Sequence, residues 1–395
     1  MVKLLDITGK AISGEWGTDC DHQDGIPVLR TTNFRNNGTI NYDNVVIRNI
    51  IKDVKNKFLC YGDIIIEKSG GSDKQPVGRV VYFDGKGNRY LFNNFTGVLR
   101  VKNTDRWNPK YIFYALFAAY KRGETRRFEN RTTGLHNLQL DSYVKNFNIQ
   151  EISITYQNKI CDILDNIHHQ IILREKELTH LDDLVKARFV EMFGDPGLPN
   201  RNYPIIQLED IADVKSSHRI FTSDFVEEGI PFYRGKEIGE LARGEVPKEV
   251  YYISTEKYKE ISNDDSKPLI GDLLMPSICD KGQVWMVNTE SPFYYKDGRV
   301  LCISPDRNRI NPQYFQHYIK MRTISEYPKL GSGSTFAEFK IFQLKRLMIS
   351  LPPLDRQNQF AEIVTRINKS KVAIDHGVIL IRKALQSGYH NVWGN

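Results

Sequence analysis

The stretch "QNKICDILDNI" at 157–167 returns two hundred residues later as "QNQFAEIVTRI" at 357–367. A chain that states one pattern twice, in register, builds one supersecondary unit twice, which limits its fold more than any local motif does. From 157 to 195 and from 357 to 395 the identities are few: Gln157/Gln357, Asn158/Asn358, Ile163/Ile363, Ile167/Ile367 and Gly194/Gly394. The apolar pattern is the stronger signal. The first copy places Ile160, Leu164, Ile167, Ile171, Leu178, Leu181 and Val185 on alternating steps of four and three, with Arg174 on the same line. The second places Phe360, Val364, Ile367, Lys371, Ile374, Val378, Ile381 and Leu385 on those steps. Such a heptad predicts a coiled-coil seam, with Ile160, Leu164, Ile167, Leu178, Leu181, Ile367, Ile374 and Ile381 in its core. Both copies also end alike, "FVEMFGD" (189–195) and "YHNVWGN" (389–395). Two unrelated amphipathic core helices would have no reason to share phase, length and ending. The expectation is two helices of about 35 residues, each roughly 50 Å long, packed as an antiparallel pair.

The repeat extends beyond the helices. "GIPVLRTTNF" (25–34) answers "GIPFYRGKEI" (229–238), "GDIII" (62–66) answers "GDLLM" (271–275), and "GVLRV" (97–101) answers "RVLCI" (299–303). "NPKYIFYAL" (108–116) answers "NPQYFQHYI" (311–319), where Asn caps a helix and Pro occupies its first position. "NIQEISI" (148–154) answers "RLMISLP" (346–352). Short β-branched segments bounded by turns read as strands. The fold class is therefore α+β, a tandem duplication of a mixed α/β domain followed by a long helix: 1–150 domain, 151–196 helix, 197–350 domain, 351–395 helix. A shared frame with unlike sequence between its anchors implies two tasks of one kind on two targets.

At 395 residues, 40% hydrophobic and 26% charged, the chain has the composition of a soluble globular protein with two domains or more. Its longest apolar run, "YIFYALFAAY" (111–120), is too short to span a bilayer, so no membrane role is expected. The five cysteines are scattered without a CxxC pair, which suits a reducing cytoplasm and no metal site. The net charge of +7 is uneven: residues 1–150 carry 23 Lys+Arg against 15 Asp+Glu, whereas 197–350 carry 21 against 21. A basic first third points to a polyanionic partner.

Motifs for chemistry are missing. "LPPL" (351–354) lacks both the leading polar residue and the aromatic of an adenine methyltransferase motif, and neither a phosphate-cradling GxxxxGK[ST] loop nor HExxH occurs. His168 and His169 are adjacent and diverge on a helix, a poor start for zinc. No catalytic residue and no metal ligand are assigned. Polar loops beside strands and helix starts are the better candidates. Glycine there lets backbone approach a phosphate, Arg and Lys suit guanine edges, and Asn or Gln suits adenine edges. In the first domain these loops hold Arg30, Thr31, Asn33, Lys68, Ser69, Lys74, Arg126, Arg131 and His136. In the second they hold Arg234, Lys236, Ser277, Lys281, Ser332 and Ser334.

"LREKELTHLDDLVKARFVEMFGDP" (173–196), "GIPFYRGKEI" (229–238), "GSGSTFAEFK" (331–340) and "ISLPPLDRQNQFAEIVTRI" (349–367), in this order over the full chain, resemble the specificity subunits of Type I restriction–modification systems. One departure is visible: the first copy reads "ISITYQN" where the second reads "ISLPPLDRQN", three residues shorter and without Pro-Pro. The resemblance implies a non-catalytic adaptor. Two target-recognition domains would each read half of a split, asymmetric double-stranded DNA site, and the coiled coil would set their spacing and dock two methyltransferase subunits. Those subunits, not this chain, would bind S-adenosylmethionine and methylate adenine at N6, and restriction subunits can join. Exposed helix flanks and the "FVEMFGD" end, with Phe189, Met192 and Phe193, are expected docking surface, the alternative being that these three cap the core. Two other classes compete: a protein–protein scaffold with two α/β binding domains, and an enzyme of unfamiliar motif.

Overall fold

The computed structural model describes residues 1–20, 25–85, 87, 89–132, 135–198, 200, 202–330 and 337–393. Two helices of 40 residues, Ile154–Phe193 and Leu354–Trp393, dominate it. The chain divides into two compact units, each assembled from distant segments: 1–175 with 375–395, and 176–374. Each unit thus contains one α/β domain, the first half of the long helix that follows it, and the second half of the other long helix.

The two domains repeat one topology. In the first unit, Ile12–Ser13, Thr96–Leu99, Ile64–Glu67 and Val80–Tyr82 form a four-stranded sheet in that order, matched in the second by Ala212–Lys215, Val300–Pro305, Leu273–Pro276 and Trp285–Met286. A second four-stranded sheet in each ends on a parallel pairing, Val28 beside Leu91 and Phe232 beside Tyr294. Each domain is closed by pairing its entry strand with the strand that leads into its long helix, Val2–Lys3 with Asn148–Ile149 and Ile205–Gln207 with Met348–Ser350.

The repeated dipeptides are structural devices. In "GD", Gly62 and Gly271 adopt left-handed φ values of 93° and 88°, which glycine takes without steric cost. Asp63 and Asp272 then accept from the backbone N–H three residues back, Cys60 at 2.7 Å and Leu269 at 2.9 Å. In "QN", both glutamines are fully buried. The Gln157 Oε1 accepts from Asn108 N–H at 2.8 Å, and its Nε2 donates to Arg106 O and Ile152 O. Gln357 does the same with Asn311, Arg309 and Pro352. Asn158 and Asn358 receive the amide of the capping Asn108 and Asn311 at 2.8 and 2.9 Å. Each clamp fixes a long helix to the cap of its domain helix, Pro109–Lys121 or Pro312–Glu326.

This register corrects the apparent three-residue deletion. Ile149 and Ile349 pair with the two entry strands, and both long helices start at equivalent positions, Ile154 and Leu354. The first copy is not shorter. Ser153 stands where the second has Pro353, and each accepts the N–H of the following glutamine, Gln157 at 3.0 Å and Gln357 at 3.2 Å.

The two long helices pair within each unit. In the second copy the heptad residues line up as expected: Phe360, Val364, Val378 and Leu385 are buried, and Ile367, Ile374 and Ile381 half-buried. In the first copy Leu164, Ile171 and Val185 are buried and Ile167 is half-buried as Ile367 is; Ile160 is half-buried where Phe360 is buried, and Cys161, like Ala361, is buried beside the seam. Each long helix serves two neighbours, its partner helix and a domain helix, the latter through Tyr114 and Asp165 in the first unit and Tyr314 and Phe360 in the second. Leu178 and Leu181 are half-buried. Lys371 reaches Asp182 at 2.7 Å in the second unit, and Arg382 reaches Glu175 at 2.5 Å in the first.

The matched endings close the cores. Phe189 and Phe193 pack on Tyr314 and Phe360, with Phe189 stacked on Tyr314 at 5.5 Å and Phe193 edge-on to it at 4.8 Å. In the first unit Trp393 meets Tyr111 at 5.5 Å, and Tyr389 meets Tyr114 and Phe117. This corrects the docking expectation for that end. Phe189 and Phe193 are 1% and 4% exposed, so neither side chain is surface, and Met192 is half-buried against the same core.

His317 of the second unit packs edge-on against Phe360. Burial, then Lys320 and Lys371, pushes its pKa down to about 4, against the pull of Asp182. Below the ordinary imidazole value of about 6.5 the unfolded chain takes a proton that the folded unit refuses. The contribution is intact above about pH 6.5 and is lost as pH falls toward 4, at up to about 1 kcal/mol per pH unit. Denaturant titrations between pH 7 and 4.5 are expected to show a shallower fall for His317→Gln than for the parent. Equal slopes would remove this histidine from the account.

Candidate nucleic-acid interface

In the first unit a three-stranded sheet, Glu129–Thr132, Leu135–Leu138 and Ser69–Gly71, gathers several of the residues expected to contact DNA. Ser69 lies opposite Asn137, and Arg131 opposite His136; the Arg131 side chain lies outside the described parts. His136 is buried, its Nδ1 2.9 Å from Glu129 Oε2 and its Nε2 3.5 Å from Asp73 Oδ1. It therefore holds the 72–76 turn in place. Arg126 donates to the Asp73 carbonyl at 3.0 Å, and Lys74 stands exposed on that turn. Lys68 is half-buried, its main chain joined to Phe95 and Leu138.

Arg79 ties the end of the four-stranded sheet at Glu67 to the turn at 30–33. Its guanidinium grips Glu67 at 3.0 and 3.2 Å and donates to Thr31 O at 3.2 Å. Asn33 is structural: it is 2% exposed, accepts from Arg30 N–H at 2.9 Å, and donates to Asn41 O and Asn44 O. Arg30 sends Nη2 to Asn44 O at 3.4 Å, while its buried Nε has no partner.

A groove beside this cluster is lined by Asn36, Gln75, Tyr120, Lys121, Arg122 and Arg126 among others. Lys121 donates to Asn36 O at 2.9 Å, and among the described residues neither it nor Arg126 nor Lys74 has a carboxylate partner. Cations held by carbonyls keep their charge available for phosphates. Of this set the sequence reading named only Lys74 and Arg126. "KR" at 121–122 was visible directly after the apolar run and went unused.

The second unit differs. Arg234 caps the helix Gly235–Ala242, and the buried Glu237 accepts from its N–H, Nε and Nη2 at 2.8, 3.1 and 2.8 Å. The guanidinium also lies 4.4 Å from the Tyr251 ring centre. Glu237 therefore does in this turn what Asn33 does in the first unit, and Arg234 stands where Arg30 does. Lys236, Gly239, Glu240, Arg243, Ser277, Gln283 and Arg299 line a groove between that helix and the 276–283 segment. Ser277 is 2% exposed, its carbonyl accepting from Phe339 N–H at 2.7 Å, and Lys281 is exposed at the turn beyond. Ser332 and Ser334 lie outside the described residues. Each cation lining the groove has a carboxylate: Lys236 with Glu249, Arg243 with Glu245, Arg299 with Glu338, at 3.1, 2.9 and 2.8 Å. Arg299, Arg243 and Glu240 were not singled out from sequence, where no spacing marks them.

Among the described residues no group of three or more potential ligands could hold a metal ion, and no helix is long and apolar enough to cross a membrane.

A frame built twice, with a long helix after each copy and a polar groove in each, defines a duplicated α/β recognition protein. Comparison gives the family. The chain matches the Type I restriction modification DNA specificity domain over residues 2–182 and again over 200–380, and it belongs to that family. It is 26% identical over 186 residues to a putative type I restriction enzyme specificity subunit of Haemophilus influenzae. That match spans 47% of this chain and 45% of the relative, so the chain spans under half the length of the curated protein it matches. Its fold is similar to a chain from a structural study of complex assembly and conformational transition of the type I R-M system, with TM-score 0.58, 17% identity, and 99% and 96% of the two chains covered. It is similar too to the crystal structure of a Type I restriction–modification S subunit from M. genitalium, with TM-score 0.54, 13% identity, and 100% and 95% covered.

Proposed function

We propose that each unit reads one half of a bipartite, asymmetric site in double-stranded DNA. The paired helices set the gap between the halves and dock two adenine-N6 methyltransferase subunits, and restriction subunits can join the same assembly. The partners carry S-adenosylmethionine and the chemistry; this chain is a non-catalytic, cytoplasmic adaptor without a cofactor of its own. The observation that supports this reading best is the twofold recurrence of one frame around two chemically unlike grooves: in one, Lys121 and Arg126 have no carboxylate partner among the described residues, and in the other Lys236, Arg243 and Arg299 are each paired. For docking, the helices offer exposed apolar side chains instead of their buried ends: Ile163, Leu173, Leu184, Val372, Ile379 and Leu380.

Adenine-methylation sequencing of cells with and without this chain, its methyltransferase partner present in both, tests the proposal. A split motif that vanishes with the chain is expected. An unchanged methylome would favour the scaffold alternative. Exchanging residues 1–150 for another family member's domain should alter one half of the motif and leave the other; a change in both halves would break the two-reader account. Salt dependence offers a cheaper check. Removing Lys74, Lys121 or Arg126 should each lower the slope of log affinity against log salt by about 1. A slope unaffected by all three would move the phosphate contacts elsewhere.

A further inference from the structure

Lys236, Glu240 and Arg243 follow one another at steps of four and three along the helix Gly235–Ala242 and its C-cap, which places them on one face. That face is one wall of the second unit's groove, opposite Pro276, Ser277, Gln283 and Arg299. The other polar groups there are engaged. Lys236, Arg243 and Arg299 have their carboxylates, Gln283 donates to Asp280 at 2.8 Å, and Ser277 faces Glu338 at 3.4 Å. Glu240 is different. Its Oε2 is closed off from water and has no hydrogen-bond partner among the described residues. Lys236 and Arg243 feel its charge, but each is paired to another carboxylate.

We propose that Glu240 is a base-reading residue of the second unit, accepting a hydrogen bond from the exocyclic amino group of a cytosine or adenine in the major groove. This inference rests on the DNA-binding reading above. A carboxylate repels phosphate, so within DNA its partner has to be a donor on a base edge. In the major groove those donors are cytosine N4 and adenine N6. Glu240 is half-buried and lines the groove, so a turn of its carboxylate brings the partnerless oxygen to a bound amino group, which relieves the cost of leaving that acceptor without a donor. The surroundings suit close approach. The side chains of Lys236, Arg243 and Arg299 are 52%, 55% and 64% exposed, so the groove wall around Glu240 is open on the solvent side. Gly239 leaves the groove floor without a side chain; a Cβ there would come no nearer than 3.7 Å to Arg243 and 3.9 Å to Gln283.

The test is adenine-methylation sequencing with the full chain and its methyltransferase partner, comparing the parent with Glu240→Ala and Glu240→Gln. In the alanine variant one position of one half-site should lose about tenfold or more of its discrimination, the other half unchanged. Glutamine keeps an acceptor and adds a donor, so it should widen the same position toward bases that present an acceptor. A half-site unchanged in both variants overturns the proposal. If alanine abolishes methylation, glutamine, close in size, decides: a relaxed position supports the assignment, and an unchanged motif or complete loss overturns it. A parent that yields no split motif would instead defeat the DNA-binding reading itself, a result distinct from a failure of Glu240.

Discussion

A chain ending at residue 374 is expected to lose the first domain and keep the second, although the deleted segment follows the second in sequence. Residues 375–395 belong to the first compact unit. There Val378, Leu385 and Tyr389 are buried, and Trp393 packs on Tyr111. Tyr389 Oη meets His168 Nε2 at 2.8 Å, and Arg382 pairs with Glu175. Losing a large buried side chain costs about 2–5 kcal/mol. Three such losses consume most or all of the roughly 5–15 kcal/mol that holds a typical domain. The deletion also bares the apolar helix Pro109–Lys121, whose residues 111–120 are all buried. Hydrogen exchange read by mass spectrometry separates the outcomes. Protection should collapse over 1–150 and survive over 205–350. Loss confined to the second domain, or no loss in either, would mean that the C-terminal half-helix does not hold the first unit together.

Much of this organisation was legible because repeated sequence marks repeated geometry. "QN", "GD" and the Asn-Pro helix starts each proved to be a small hydrogen-bonded device with one form in both units, so a dipeptide identified a structure. The second helix's seam followed its heptad for the same reason. The first helix follows it too, with Ile160 half-buried where Phe360 is buried. In both helices the residue after the first seam position, Cys161 or Ala361, is also buried, since packing against a domain helix widens the buried face beyond a two-helix stripe. Motif matching also slipped by three residues at "ISITYQN", where strand pairing fixed a register that the letters Ile-Ser obscured. The grooves were least legible. Asn33 and Arg234 look like DNA-reading polar residues, yet both are bound into the turns at the ends of equivalent strands. Glu240 and Arg299 become neighbours only through strand and helix packing, which no spacing in the chain records.

Replacing either buried clamp glutamine with leucine should be among the most damaging single changes of equal size in the protein. In Gln357→Leu the side-chain volume is nearly kept, so no large cavity forms. The loss is polar: the Asn311 N–H and the Arg309 and Pro352 carbonyls all lose their partner. Buried groups left without partners cost about 1–3 kcal/mol each, so the three together are expected to cost about 3–9 kcal/mol. Gln157→Leu strips the same three groups in the first unit, from Asn108, Arg106 and Ile152. The two variants therefore make a matched pair with separate addresses. Gln157→Leu should lower protection in the first domain and Gln357→Leu in the second, by similar free energies in native-state hydrogen exchange. The duplicated clamp predicts this equality, which a merely local packing role would not. Costs below about 1 kcal/mol in both would show that solvent or a backbone shift satisfies the abandoned groups. The "QN" recurrence would then reflect something other than the joint between helix and domain.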